Sequence, residues 1–579
     1  MTWFRYFSLV ILGLGMIGAE PIHLKTRKLE PSRDRVAYLA SPFTRRISGR
    51  SHYLVQFDGP IHARTLAALD ARGMQVTGYV PHSTLMIAAP DDFSLDGLPV
   101  RWIGRLEQRD KISPLLPPQG SEFGVFVVEI HSDVDMAEAR AMVREHGLRV
   151  IENPALAPHD LLVAGRFGNF SRLASWDEVA YVFPASAKLL ARTHIYRCAG
   201  AVVQRTTVAS YAGSAQAWPV SETGGLALQY VYSQLTGKLP VDETQSELLR
   251  ALSEWTKYAN VSFAAGTNAQ APLTVNILFA SGAHGDPYPF DGPGGVLAHT
   301  FYPAPSNPEP IAGDMHLDND ENWQIGADID VYSVALHEAG HALGMVHTDD
   351  PSDVMYPYYQ RHTTLGAGDV AIVQSLYGAP AGSTTGQPPA LPLVLSISSP
   401  AATSTTTAST VSISGTASGG TGAAQISWST IDGQTGAATG SADWSIAAVP
   451  VSVGDNIIAI TATDAANHTA TRWIQVTREQ PPPPPQGDLT PPTLTLTYPN
   501  SSTLATRGSS ITLQGTATDN VGVTAVVWTN LAGGSGVAIG TTAWRVNIVP
   551  LTPGSNVIII KAMDAAGNTA SVSTTVVRE

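Results

Sequence analysis

The sequence predicts a multidomain chain. Two small α+β modules stand at the front, an α+β domain built around metal chemistry follows, and two all-β sandwiches close the chain. Three observations point to this. A strand–helix–Gly–strand pattern occurs twice before residue 190. Nearly all the histidine-rich chemistry falls between about residues 214 and 380. Beyond residue 392 the chain aligns with itself at an offset of 100, without a gap. At 579 residues it is also too long for one core.

The first residues read MTWFRYFSLVILGLGMIGAE. Arg5 precedes an apolar run, Ser8 to Gly18, too short to span a bilayer but suited to a signal peptide cleaved near Ala19. Residues 1–19 are therefore read as a signal peptide and the protein as secreted and extracellular. No later stretch is apolar enough for a membrane helix. A 44% hydrophobic and 14% charged composition describes folded, soluble domains. The net charge of −14 comes without a basic block, which argues against nucleic acid as a partner. With Cys198 the only cysteine, no intramolecular disulfide can form, so packing or bound metal must stabilise the fold.

In the front region, 20–198, YLVQF (Tyr53 to Phe57) reads as a strand, followed by a helix over Ile61–Arg72, Gly73 and a second strand from Met74. VFVVEI (Val125 to Ile130), a helix from Met136 to His146, Gly147 and LRVIE repeat the order. Each copy ends in an apolar strand with an aromatic, VRWIG around Trp102 and VAYVF around Tyr181. The modules span about 51–115 and 122–190 and resemble the ferredoxin-like propeptide modules that precede secreted proteases.

After a Gly/Pro/Ser/Thr linker at 381–392 come two β units, 393–479 and 492–579. Trp428 matches Trp528, Trp444 matches Trp544, Asn456 matches Asn556 and Asp464 matches Asp564. Alternating runs such as DNIIAITAT, broken by Gly and Asn turns, predict antiparallel sandwiches similar to bacterial Ig-like domains. A Pro-rich linker, 480–491, separates them with PPPPP as a stiff spacer.

The decisive stretch is ALHEAGHALGMVH, Ala335 to His347, inside the segment 199–380. On a helix, residues i and i+4 share a face, so His337 and His341 present two imidazoles to one point. Glu338 is turned about a hundred degrees away, where it reaches a metal-bound water without being a ligand. Gly344 lets the chain turn back so that His347 closes the site. Three neutral nitrogens and a water make an open catalytic zinc site. In that site zinc activates the water and Glu338 is the general base.

HEAGHALGMVH followed by MYP resembles the matrixin branch of the metzincin zinc endopeptidases. The resemblance implies a Met-turn at Met355, with Thr348 standing where matrixins commonly have Ser. It makes GDVAIVQSLYG (Gly368 to Gly378) the last helix. It also implies a structural zinc on His284, Asp286, His299 and His316, and calcium on Asp291, Asp318 and Glu321, with Asp314 at another calcium site. PAPSNPEPIAG, between His299 and Asp314, looks like an insertion. Val296 to His299 are expected to form an edge strand that pairs with substrate. Tyr356 and Pro357 are expected to wall the pocket for the residue after the cut. Arg197-Cys198 is similar to the matrixin cysteine switch, whose thiolate silences the zymogen, although the flanking prolines and Asp are missing. Cys198 as a small buried thiol with no role is the competing reading.

The function expected is a secreted, zinc- and calcium-dependent endopeptidase made as a zymogen, monomeric, acting on protein or peptide substrates. The Ig-like domains are spacers or contact cell surface or matrix. The alternative is an extracellular binding protein that uses the Ig-like domains and carries a vestigial protease domain. A different metzincin subfamily with the same chemistry is a third reading.

Overall fold

A computed structural model describes residues 20–31, 47, 49–116, 122–190, 196–203, 206–213, 216–220, 225–380, 393–465, 468–480 and 488–579. Residues 1–19, expected to be a signal peptide, the linker 381–392 and the proline run 481–485 lie outside the described residues. The chain divides into two compact units. The first comprises Met1–Ser404, Thr410–Pro450 and Asp455–Val476, and the second Thr405–Ser409, Val451–Gly454 and Thr477–Glu579.

The first front module runs β1 (Arg50–Phe57), α1 (Ala63–Asp70), β2 (Gln75–Val80), β3 (Thr84–Pro90) and β4 (Val100–Gly104), forming an antiparallel sheet of order β2-β3-β1-β4. The second runs β5 (Phe123–Ile130), α2 (Met136–Glu145), β6 (Arg149–Ile151), β7 (Asp160–Arg166), α3 (Phe167–Leu173) and β8 (Val179–Pro184), in the order β8-β5-β7-β6. The two orders correspond strand for strand. The modules differ in that residues 91–99 form no helix where α3 stands in the second copy.

The central strands are buried on both faces. In β1, Tyr53, Val55 and Phe57 pack with Ile61 and Leu69 on the α1 side. In β5, Phe126, Val128 and Ile130 pack with Met142, Val143 and Phe170 on the helical side. The opposite faces, Leu54 from β1 with Val125 and Val127 from β5, share one core. That core also takes in Val346, Tyr356 and Tyr358, so the front modules and the middle domain are packed through a common interior. His52 on β1 adds a buried polar joint, its ring nitrogens lying 2.8 Å from Asp133 and 2.9 Å from Asp177 of the second module.

The middle domain begins with β9 (Arg197–Val203) and β10 (Thr206–Thr207). Then follow β11 (Leu226–Gln234), α4 (Val241–Thr256), β12 (Val261–Ala265), β13 (Thr274–Ala280), β14 (Val296–Phe301), β15 (Met315–Asp318), α5 (Val331–Ala342) and α6 (Ala367–Tyr377). The seven-stranded sheet has the order β10-β9-β14-β15-β13-β11-β12. Only β14–β15 and β9–β10 are antiparallel pairs. The segment boundary expected between residues 198 and 199 therefore falls inside a strand. Its pairing partner lies about a hundred residues downstream, where local patterning carries no signal.

α5 carries the three-histidine stretch and is buried at every position. A helix apolar all round has to sit inside a core. Trp255 of α4 donates to Leu336 O at 3.0 Å, and Trp218 donates to Ala342 O at 2.7 Å, fixing it between neighbours. The helix ends at Gly344, whose φ of +86° favours glycine. Gln216 N and the Tyr302 hydroxyl both donate to Gly344 O.

In the β region the strands recur at the same offset: 410–418 with 510–518, 443–450 with 543–550, and 469–478 with 569–578. In the second unit a three-stranded and a five-stranded sheet enclose Trp528 and Trp544. In the first repeat Trp444 is buried, but Trp428 is only half-buried.

Gly344→Ala is expected to lose about 2 kcal/mol or more of stability in a denaturant titration. A non-glycine residue held in that conformation costs about 1–3 kcal/mol. The added Cβ would also lie 2.0 Å from Gln216 O.

Candidate metal centre and active-site cleft

His337 and His341 stand one helical turn apart on α5, and the turn at Gly344 returns His347 to them. The Nε2 atoms of His337 and His347 are 3.3 Å apart, those of His341 and His347 3.2 Å. The backs of two rings are fixed: His337 Nδ1 donates to Val354 O at 2.6 Å and His341 Nδ1 to Met345 O at 3.0 Å. With the proton on Nδ1, their Nε2 lone pairs point inward with no hydrogen to share. Two such lone pairs are turned on the third imidazole nitrogen, a spacing that suits a cation lying among them, and imidazole nitrogen is a zinc ligand. Burial lowers the His337 pKa to about 4 and holds His341 and His347 well below the usual histidine range. All three are therefore neutral, the form that binds metal. The donor set fits zinc.

Met355 is fully buried beneath the helix, and a Cβ at Gly340 would lie 2.3 Å from its Sδ. Glu338 is 1% exposed. Thr300 Oγ1 donates to its Oε2 at 2.7 Å, while Oε1 is buried without a hydrogen-bond partner. Burial raises the Glu338 pKa to about 7, against the lowering effects of Cys198 and Thr300.

Cys198 joins this group. One ligand atom each from Cys198, His337, His341 and His347 lie within 4.8 Å of one another. Burial, then the facing Glu338 carboxyl, pushes the thiol well above its ordinary pKa. A cation among the imidazoles reverses that balance, since metal coordination deprotonates a thiol.

The strand expected to be an open edge is covered in this chain. β9 lies alongside β14 in parallel, with Cys198 opposite Ala298 and Val202 opposite Phe301. Arg197 N donates to Gly295 O at 2.9 Å on that side. On the other rim, Cys198 N donates to Pro357 O at 3.3 Å and Tyr359 N to Tyr196 O at 2.8 Å. The strand thus bridges both rims of the cleft. The cavity left between Cys198, Leu297, His337, Glu338, Tyr356 and Pro357 is about 20 Å³, room for about one water. The second front module grips the far wall directly. Tyr356 donates to Pro184 O at 2.9 Å and Tyr358 to Asp160 Oδ2 at 2.5 Å. Lys25 pairs with Asp349, which also accepts from Tyr181 at 2.6 Å.

A second group joins His284 and Asp286, on the loop before β14, to His299 on β14 and His316 on β15. Asp286 Oδ2 is 3.0 Å from His284 Nε2, 3.1 Å from His299 Nε2 and 2.8 Å from His316 Nδ1. Burial opposes ionisation of Asp286, but the bonds to His299 and His316 hold its carboxyl well below the usual range. One carboxylate and three imidazoles form a closed, tetrahedral type of donor set that suits a structural zinc.

The acidic residues gather less tightly. Among the described residues, Asp291, Asp318 and Glu321 are not in a group whose ligand atoms all lie within 4.8 Å. They do face one another. Burial, then the neighbouring Asp320 and Asp291 charges, raises the Asp318 carboxyl, and Glu321 is pushed up to about 7 by burial with Asp318 and Asp291 close by. Asp318 Oδ2 is buried without a partner, an orphaned acceptor that suits a hard cation. Asp314 stands apart, accepting from Asn276 N at 3.0 Å and facing Glu309, with burial raising its pKa to about 8. The segment 303–313 turns towards the first front module, where Ser306 meets the Tyr79 hydroxyl at 2.8 Å.

Sequence reasoning missed Thr300, Asp349, Asp160 and the pairing of β9. It also missed a group of carboxylates in the last sandwich, Asp488, Asp519 and Asp564. None follows a local spacing rule, because each partner is supplied by a different element.

A helix floor holding three converging imidazoles and a buried carboxylate, beneath a cleft between two strand-like rims, defines a zinc hydrolase type of domain. Residues 218–378 match the family described as Peptidase_M10, Matrixin, and residues 23–107 match a domain of unknown function, DUF8729. Matrix metalloproteinase-16 of Homo sapiens is 37% identical over 166 residues, 26% of this chain and 27% of that protein. Matrilysin of Felis catus is 40% identical over 149 residues, 25% of this chain and 55% of that protein. Metalloendoproteinase 1 of Glycine max is 38% identical over 173 residues, 28% of this chain and 53% of that protein. The chain spans between 27% and 55% of the length of these relatives. Over residues 218–378 it carries a matrixin-type metalloprotease domain.

Purified protein is expected to hold two zinc ions per chain by mass spectrometry, one for each histidine group, and Asp286→Ala to retain one. Occupancy of the three-histidine site is expected to fall as pH drops towards about 4, where His337 takes up a proton.

Proposed function

We propose that this chain is the latent precursor of a secreted zinc endopeptidase. The observation that carries the reading is a buried carboxylate, Glu338, set beside three imidazoles whose free lone pairs converge. When bound, zinc supplies Lewis acidity at the scissile carbonyl and makes a water acidic enough to attack it. His337, His341 and His347 hold the ion, and the Val354 and Met345 carbonyls orient two of the rings. Glu338 takes the proton of the attacking water and returns one to the leaving amine. Burial raises the pKa of its carboxyl, the direction that suits a proton acceptor. A substrate replaces β9 along β14 and pairs by main-chain hydrogen bonds, with Tyr356 and Pro357 walling the pocket beyond the cut.

The front region, read as two ferredoxin-like propeptide modules, keeps the precursor silent in two ways. Cys198 Sγ sits at the position the attacking water needs, and β9 fills the groove the substrate needs. The domains proposed are a signal peptide at 1–19, a propeptide to 198, a catalytic segment at 199–380 and Ig-like domains at 393–479 and 492–579. The structural zinc takes His284, Asp286, His299 and His316, and calcium takes Asp291, Asp318 and Glu321, with Asp314 left to a separate site. The Ig-like domains are spacers. The vestigial-domain alternative is disfavoured by Glu338, since a site freed from catalysis has no need of a buried carboxylate aimed at its cleft.

Two variants test this reading. Glu338→Gln is expected to keep fold and zinc but lower casein or gelatin digestion by roughly a thousandfold; normal turnover would remove the assignment. Cys198→Ser precursor is expected to digest slowly without activation, because β9 still lies in the cleft. A precursor as silent as wild type would show that the thiol has no part in latency.

A further inference from the structure

The hydrogen bond between Thr300 and Glu338 has no role in the sheet. Thr300 is fully buried on β14, and its strand pairing, with Met315 on one side and Ala201 on the other, is a matter of backbone alone. Its Oγ1 nevertheless donates to Glu338 Oε2 at 2.7 Å. The other carboxylate oxygen, Oε1, is equally buried and, the facing Cys198 thiol of the precursor aside, has no hydrogen-bond partner. An orphaned buried carboxylate oxygen is costly, and such groups persist where function needs them. The terminal torsion of a glutamate is broad and roughly two-fold, so an unanchored carboxylate swings between orientations. A general base works only when an oxygen stays within hydrogen-bond reach of the proton it takes.

We infer that Thr300 is a positioning residue for Glu338: its hydroxyl pins Oε2 and leaves Oε1 as the oxygen that exchanges a proton with the attacking water. The inference rests on the endopeptidase reading above and deepens it. The side-chain hydrogen bond of Thr300 goes to the base, Glu338, so its loss acts on the chemical step. A methyl group in place of the hydroxyl preserves shape but leaves both carboxylate oxygens without a partner. The population of correctly oriented carboxylate then falls, while strand pairing of substrate with β14 is unchanged.

The test compares activated full-length wild type with Thr300→Val and Thr300→Ser, each also in the Glu338→Gln background, with zinc content and thermal midpoint recorded for all. Thr300→Val is expected to lower kcat about tenfold, the scale of one buried hydrogen bond to a charged group, with KM and zinc content unchanged. Thr300→Ser, which keeps the hydroxyl, is expected to stay within about twofold of wild type. In the Glu338→Gln background, Thr300→Val is expected to change residual turnover by less than about twofold, since the group it orients is gone. Should Thr300→Val fail to fold, Thr300→Ala removes the same hydroxyl without adding bulk. Wild-type kcat in the folded hydroxyl-free variant overturns the inference. So does an equal loss in Thr300→Ser, or the same loss in the Glu338→Gln background. Full turnover by Glu338→Gln alone would instead remove the underlying reading, whatever Thr300 does.

Discussion

Three imidazole nitrogens converge at a buried helix and the turn that follows it, and the rest of the middle domain is arranged around that constraint. Each carbonyl that accepts from an Nδ1, Val354 and Met345, has to be brought to the helix by a turn. The turn at Gly344 brings one, and the segment carrying Met355 brings the other. The tryptophans on α4 and before β11 hold the helix backbone from outside. A cation at the meeting point converts a repulsive arrangement into a cohesive one. The second histidine group brings His284 and Asp286, from the loop before β14, to His299 and His316 on the sheet, and a cation there would tie that loop down.

The same geometry explains why the front region reaches so far into the cleft. β9 uses the hydrogen-bonding edge of β14 that an extended peptide would use, and it delivers Cys198 to the imidazoles as it passes. Its register with β14 is broken twice, so pairing alone holds it weakly. The broader anchorage is the core that the two front modules share with Val346, Tyr356 and Tyr358. Tyr356 and Tyr358 hydrogen-bond into the second module, so the cleft wall and the covering domain are fixed by the same side chains. Covering of the cleft and folding of its wall are thereby tied to one interface.

Much of this was legible in the sequence wherever the signal is local. Spacings of four and six residues, with a glycine between, were enough to place His337, His341 and His347 together. The tandem modules and the hundred-residue repeat showed as periodicity. β3, β7 and α3 escaped notice, because fully buried strands do not alternate and a seven-residue helix has too little pattern to declare itself. Thr300 was hidden for a different reason. Its partner lies 38 residues away on another element, and a threonine in a strand looks ordinary. The edge strand at Val296 was read correctly as a strand, but its covered state depends on residues nearly a hundred positions earlier. The acidic loops resemble calcium ligands in composition, and Asp314, expected at a separate site, faces Asn276 and Glu309.

X-ray absorption at the zinc edge of the purified precursor tests the central claim most directly. The account predicts imidazole scattering from both sites, nitrogen neighbours at about 2.0 Å, and a sulfur contribution at about 2.3 Å that disappears in Cys198→Ser. A spectrum without imidazole scattering, or a folded precursor that binds no zinc at all, would contradict it.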